Sequence, residues 1–296
     1  MKILITGAGG FFGQALLPEL VRDHTVHAIY HKTPMFLPPC DFSVADIREE
    51  EVLSPIFAKF QPEMVLHLAG ITAVSHALAI TEDDVKAINV TASGTLAKLS
   101  QKFSAKIIYT STDLVYSGSE GGMVKEDGKL EPLSLYASTK LEGETAVRES
   151  TNDFLILRLA LMYGFSKGKV KSFFQEAYNK VKSGQKVVLF NDQYRSSLSV
   201  LDAARMMKKL ITSQHAYKLL NFGSAERTSR AQLFSRFVQK AGLDERLLEI
   251  RSLKEFPNLP QVEDVSLDVS ILVSMGITPM PVEKSIDETV KNLPNS

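Results

Sequence analysis

The sequence predicts an α/β fold, a doubly wound parallel sheet with helices on both faces, completed by a smaller α/β lobe in the C-terminal part. Three observations predict it. Short runs rich in Ile, Val and Leu alternate with helical patterns through the first half, as strands buried on both faces require. A glycine-rich stretch joins the first run to the first helix. After about residue 165 the alternation loosens, and Pro- and Gly-bearing loops ("FPNLPQ", "GITPMPVE") punctuate mixed helices and short strands.

The candidate strands are "KILIT" (2–6), "TVHAIY" (25–30), "MVLHLAG" (64–70), "KIIYTS" (106–111) and "FLILRL" (154–159). Helical patterns lie between them, near 12–21, 48–60, 82–101 and 135–149, with right-handed crossovers as the default. A further strand should end just before Asp46. Beyond residue 165, helices are expected at 170–182, 199–212, 228–240 and 285–292, and strands at 186–190 and 218–223. Ser285 and Glu288 form a capping-box pattern for the last helix. The expected division is residues 1–165 as a nucleotide-binding domain, joined by parts of 191–223, with 166–190 and 224–296 as the smaller lobe that completes a cleft. The chain shows no internal repeat or low-complexity tract.

Composition excludes several classes. Lys+Arg and Asp+Glu both number 34, so no basic surplus points to nucleic acid or to a membrane surface. No apolar run approaches the ~20 residues of a spanning helix. The N-terminus superficially resembles a signal peptide, but Gly7, Gly9, Gly10 and Gly13 interrupt its apolar run and Pro18 follows, so the chain reads as soluble and mature from Met1. Cys40 is the one cysteine, which excludes a disulfide framework and suits a reducing, cytoplasmic setting. His24, His27 and His31 cluster around the second strand, but His24 and His27 would lie on opposite faces, so no metal is expected.

The glycine stretch "LITGAGGFFGQAL" has the spacing Gly7-x-x-Gly10-x-x-Gly13. Glycines there permit a tight turn, close approach to a pyrophosphate and close helix packing, and the helix N-terminus offers free N–H groups. Phe11 and Phe12 are either rings beside a cofactor or core. An acid at the end of the second strand would select NAD. Here "AIYHKTP" has none, and His31 and Lys32 favour the 2′-phosphate of NADP(H), with NAD(H) still possible, unless they are only a solvated loop. Asp46 can either reach the adenine or cap the helix that follows. Tyr136 and Lys140 stand four apart and share a helix face, which on its own is compatible with surface decoration. "EGE" (142–144) reads as a solvated face, with Gly143 permitting close packing.

Taken together, "TGAGGFFG", "HLAGITAV", "YTSTDLVYSG" and "YASTK" resemble the extended short-chain dehydrogenase/reductase family, whose nucleotide-binding part is of Rossmann type. Within it the chain is most similar to the dTDP-4-dehydrorhamnose reductase group. "STDLVYSG" followed by "PLSLYASTKLEGE", with 24 residues from Thr112 to Tyr136, carries the likeness, as do "ILRLALMYG", "SVLDAA" and "LDVSILVSMGI". The resemblance implies Tyr136 as catalytic acid, Lys140 as its partner and cofactor clamp, and Thr112 as a hydroxyl on the substrate carbonyl. It implies cofactor contacts from the glycine loop, Asp46, Ile47, Leu68, Ala69, Gly70 and Leu159, and substrate contacts from Thr72, Val74, Asp113, Leu161 and Arg195. Arg195 would face a substrate phosphate or make a surface salt bridge. A homodimer is compatible with the family.

The chemistry agrees. Reducing a ketone needs hydride on carbon and a proton on oxygen. A free tyrosine near ~10 exchanges poorly at neutral pH, and a nearby lysine charge favours its phenolate. The implied activity is NADPH-dependent reduction of a nucleotide-linked 4-keto-6-deoxy sugar. An NAD-retaining epimerase and a non-catalytic regulatory subunit like that of methionine adenosyltransferase are the alternatives. The chain departs from the group at "TAVSHALAI", which lacks the usual acids, and at Leu161, where a tryptophan is frequent. Asp113 is followed by Leu114 rather than an acid, against the related dehydratases.

Overall fold

The structure, a computed structural model, describes residues 1–32, 34, 39–72, 80–119, 121–167 and 172–294. β1 (Lys2–Thr6), α1 (Phe11–Leu20), β2 (Thr25–Tyr30), β3 (Asp41–Val44), α2 (Glu50–Phe60) and β4 (Met64–His67) open the chain. α3 (Glu82–Lys86), a π turn (Ala87–Thr91) and α4 (Ala92–Lys102) follow, then β5 (Lys106–Thr112), α5 (Leu135–Ser150) and β6 (Phe154–Leu159). Beyond them come β7 (Met162–Tyr163), α6 (Phe173–Lys182), β8 (Val187–Phe190), β9 (Tyr194–Arg195), β10 (Leu198–Ser199) and α7 (Val200–Leu210). β11 (Leu219–Phe222), β12 (Thr228–Ser229), α8 (Arg230–Lys240), β13 (Leu248–Arg251), α9 (Ser270–Ser274) and α10 (Val282–Lys291) complete it.

Seven strands form one parallel sheet in the order β11-β6-β5-β4-β1-β2-β3. β1 lies between β2 and β4, with Leu4 opposite His27 and Val65. The chain adds β2 and β3 on one side of β1 and then β4 onward on the other. Ligands of such sheets bind outside the carboxyl ends of the strands at this switch point. Ile3, Leu4, Ile5, Val65, Leu66 and Ile107 are fully buried, which is why these strands read as apolar runs.

The chain divides into two units of similar length. One comprises Met1–Val115, Ser134–Arg158 and Ala216–Leu220; the other comprises Tyr116–Leu133, Leu159–His215 and Asn221–Ser296. Residues 116–133 and 159–165 fall in the second unit, and of the 191–223 stretch only 216–220 fall in the first. The first unit's core packs Leu4, Leu53, Phe57, Leu96, Leu99 and Ile156. The second unit's core is aromatic: the Phe174 ring lies 4.6 Å from Phe237 and 5.2 Å from Phe234, and Phe165 lies 5.0 Å from Tyr178.

Three elements correct the sequence reading. The helix expected over 82–101 is broken by the π turn, where Ala92 N–H bonds to Ala87 C=O. The extra residue directs the Asn89 side chain inward, where it is fully buried. The last helix begins at Val282, three residues before the expected capping box. Pro281 sets its entry, Glu226 accepts from Val282 N–H at 2.8 Å, and Ser285 is buried inside the helix against the Tyr163 hydroxyl at 2.7 Å. "EGE" is not wholly solvated: Gly143 and Glu144 are buried. A Cβ at Gly143 would overlap the Tyr109 hydroxyl and lie 2.5 Å from Asn89 C=O. Gly143→Ala should therefore lower stability by roughly 1–3 kcal/mol, read as a lower urea midpoint. An unchanged midpoint would mean that α5 shifts freely.

Candidate active site

The loop after β1 is built for a bare backbone. Gly7 has φ +73°, and a Cβ there would lie 2.5 Å from Ala69 N, in the loop after β4. A Cβ at Gly13 would overlap Gly7 C=O. Gly10 N–H donates to Gly7 C=O at 2.9 Å, and Gly10 caps α1 without any side-chain bond. The first N–H groups of α1 are thus left for an anion. Phe12 is buried and belongs to the core, whereas Phe11 is partly exposed. Ile47 is likewise a core residue.

A buried polar chain fastens this loop to β4 and α5. Thr6 Oγ1 lies 2.8 Å from His67 Nδ1, and His67 Nε2 lies 2.9 Å from Ser93 Oγ. Ser93 donates its own proton to Asn89 C=O, so His67 donates from Nε2 and accepts at Nδ1. The Asn89 amide accepts from Ile71 N–H at 2.9 Å and donates to Ile71 C=O at 3.0 Å and Thr139 Oγ1 at 3.1 Å. It thereby fixes the strip after β4, where Leu68 and Ala69 are partly exposed and Gly70 and Thr72 exposed. Val74 lies outside the described residues.

Thr112 ends β5, and Tyr136 and Lys140 stand one turn apart on α5. Ser134 caps α5 by accepting from Ala137 N–H, which sets Tyr136 and Lys140 in its first two turns. Burial pushes the partly exposed Tyr136 up to about 12, while a hydrogen bond with the Thr112 hydroxyl pulls the other way. Thr112 also donates to Asp113 Oδ1 at 3.2 Å, and Asp113 itself is buried. Burial brings Lys140 down to about 7, with the Glu144 carboxylate opposing it. The Lys140 ammonium sits 4.0 Å from the centre of the Tyr109 ring. The Tyr136 shift is therefore upward, not the lowering expected from Lys140, because desolvation dominates.

At the end of β2, His31 and Lys32 are exposed. Asp46 does not cap α2, whose N-cap is Glu49. Its carboxylate takes a two-pronged hydrogen bond from Arg48 at 2.7 and 3.1 Å and lies 3.8 Å from His31. Arg48 holds it below the usual carboxylate range.

In the second unit, Arg195 is buried, at 6% exposed. It lies opposite Thr228 in the antiparallel β9–β12 pair, and Arg230 N–H donates to Gln193 C=O. Gln193, Arg195 and Thr228 therefore share one face of the ribbon. Gln193 Oε1 and Thr228 Oγ1 are buried there without hydrogen-bond partners. Leu161 lines a small pocket with Tyr163, Phe173, Phe174, Arg230 and Phe234, and the Arg230 guanidinium stacks 4.5 Å from the Phe173 ring centre. Leu159 ends β6, partly exposed.

A family model described as the RmlD substrate binding domain matches residues 1–294. The chain belongs to that family. It is 30% identical over 212 residues to methionine adenosyltransferase 2 subunit beta of Mus musculus, a match covering 71% of this chain and 61% of the mouse protein. It is 30% identical over 238 residues to the probable low-salt glycan biosynthesis reductase Agl14 of Haloferax volcanii, covering 75% of this chain and 78% of that protein. Among solved structures, the fold matches a dTDP-4-dehydrorhamnose reductase from Bacillus anthracis str. Ames in complex with NADP. There the TM-score is 0.85 at 23% identity, covering 98% of this chain and 99% of the other.

Relative to this RmlD-family frame, sequence reasoning missed His67, Arg48, Gln193, Thr228 and the Glu144–Arg158 pair. Arg48, two residues after Asp46, carried a local signal; the others are single polar residues in apolar or mixed runs. Burial, reinforced by the Lys140 charge, brings His67 down to about 3. Because its folded value is below the ~6.5 of an unfolded histidine, its contribution is present above that value and is lost as pH falls toward the folded one. Urea midpoints should therefore decline from pH 7 to pH 4. His67→Gln should remove part of that slope, and identical slopes in both proteins would contradict the neutral assignment.

Proposed function

We propose that the protein is an NADPH-dependent reductase of a nucleotide-linked 4-keto-6-deoxy sugar, similar to dTDP-4-dehydrorhamnose reductase. The observation that carries this reading is the protonated Tyr136, hydrogen-bonded with Thr112 and one turn from the buried Lys140, at the carboxyl edge of the sheet. The dinucleotide fits the residues present. The glycine loop has no room for side chains at Gly7 and Gly13, and α1 starts without a side-chain cap. Gly7, Gly10, Phe11 and Gly13 would hold the pyrophosphate, Asp46 the adenine, and Leu68, Ala69 and Gly70 the path between. Tyr136 and Lys140 would hold the nicotinamide ribose.

When bound, the reduced nicotinamide supplies hydride for the ketone carbon. Thr112 holds the carbonyl oxygen by its hydroxyl, and Tyr136 gives that oxygen its phenolic proton. The phenolate left behind is stabilised by a protonated Lys140. At neutral pH a phenol near 12 is a donor, which suits reduction. A Lys140 near 7 loses its charge as pH rises, so turnover should fall on the alkaline side. A rate unchanged to pH 9 would remove Lys140's charge from the mechanism.

His31 and Lys32 support NADP(H) over NAD(H), since the nearest acid, Asp46, is already engaged by Arg48. Arg48 is a third basic side chain, on the same Asp46 carboxylate that His31 approaches. The face of Gln193, Arg195 and Thr228 supports an anionic ligand, because it carries the buried Arg195 and the Thr228 hydroxyl, a donor with no hydrogen-bond partner among the described residues. We assign it the phosphates of the nucleotide. The similarity to methionine adenosyltransferase 2 subunit beta favours a second reading, a subunit that keeps the fold and binds a partner enzyme without turnover.

Purified protein with NADPH and dTDP-4-keto-6-deoxyhexose should lose absorbance at the reduced-nicotinamide band. Tyr136→Phe should abolish that loss while still binding NADPH. No oxidation with any such sugar, together with recovery of a stable enzyme partner, would favour the regulatory reading. Thr228→Val should leave the unliganded protein as stable or stabilise it by about 1 kcal/mol, yet weaken dTDP binding about tenfold by calorimetry. Unchanged affinity would remove this face from nucleotide binding.

A further inference from the structure

A second charge system lies inside the first unit. Tyr136, Lys140 and Glu144 follow one another at four-residue spacing on α5 and so occupy one stripe of the helix. Lys140 and Glu144 are 4% and 2% exposed. The Glu144 carboxylate takes two parallel hydrogen bonds from Arg158 on β6, from Nε at 3.0 Å and from a terminal nitrogen at 2.9 Å, with both side chains 3% exposed. Arg148 stands 3.9 Å away on the exposed side.

We propose that Glu144, held by Arg158, is a positioning residue of the candidate site: its carboxylate is the fixed counter-charge that keeps the Lys140 ammonium available one turn from Tyr136. This rests on the role proposed above for Lys140. A buried ion pair is a poor source of net stability, since desolvating two charges consumes most of their attraction. Its field is another matter. In a low-dielectric interior a carboxylate one helical turn from an ammonium is felt strongly without contact.

The other groups facing Lys140 cannot replace it. His67 on β4 is neutral, and Tyr109 on β5 offers only its ring face. Tyr136 keeps its proton, and the Asp113 carboxylate is engaged with Thr112. Glu144 is also the group that opposes the desolvation of Lys140. Arg158, which does not deprotonate in proteins, holds the Glu144 carboxylate in place by two hydrogen bonds. The pair thus supplies a carboxylate fixed one helical turn from Lys140.

The test reads Lys140 directly in the cofactor-free protein. Lysine labelled with 13C at Cε is titrated by NMR, and the Lys140 signal is identified by its loss in Lys140→Met. In Glu144→Gln the midpoint should fall by a unit or more, a tenfold shift in the protonation equilibrium. Glu144→Asp should return it toward the parent value. The double variant Glu144→Met/Arg158→Leu removes both charges while keeping apolar bulk, so it should fold and show the same downward shift even if Glu144→Gln does not fold. A midpoint unchanged in the folded variants would overturn the proposal and leave the pair as a structural staple. Since no turnover is measured, a failure of the reductase reading would leave this result standing.

Discussion

The carboxyl edge of the sheet depends on one buried amide. Asn89 satisfies both polar groups of Ile71 and reaches Thr139 on α5, while its own carbonyl accepts from Ser93. Without it, the strip after β4 would have no fixed height against the helix that carries Tyr136 and Lys140. A buried amide of this kind must have its partners, because leaving them unmade in a low-dielectric interior costs more than the bonds contribute. The same economy of space explains the glycines. Gly7, Gly13 and Gly143 stand where two backbones, or a backbone and the Tyr109 hydroxyl, approach too closely for a side chain.

The electrostatics follow from that closeness. Lys140 and His67 are both held toward their neutral forms by burial, and Tyr136 toward its protonated form. A lysine so far from water is a cost to folding. It persists beside an aromatic face and a fixed carboxylate, which are the two ordinary ways of making a buried cation tolerable. Gln193 Oε1 and Thr228 Oγ1, buried in the second unit with no hydrogen-bond partner among the described residues, show the same trade. Such groups mark places where stability yields to function.

Much of this was legible in the sequence. The apolar runs placed β1, β2 and β6 to the residue, because strands buried on both faces leave no ambiguity of pattern. The glycine spacing located the loop, Thr112 ends β5 with a hydrogen bond to Tyr136, and Lys140 follows Tyr136 one turn later on α5. Local patterns failed where tertiary partners decide. Ser285 looked like a cap but is consumed by the Tyr163 hydroxyl. Asp46 looked like a cap but is taken by Arg48, two residues away. Glu144 looked solvated because its partner, Arg158, lies on another element. The β9–β12 ribbon is only two residues long on each strand, too short to show an alternation.

The π turn has one more consequence. Its extra residue rotates everything after it by about 100° relative to an uninterrupted helix. Leu96 and Leu99, which follow it, are packed in the first unit's core. Deleting one residue between Glu82 and Thr91 would restore regular helical pairing and at the same time swing the whole apolar face of α4 away. This stretch therefore has a fixed residue count as well as a fixed composition, and length variation within the family should be confined to the loops around it.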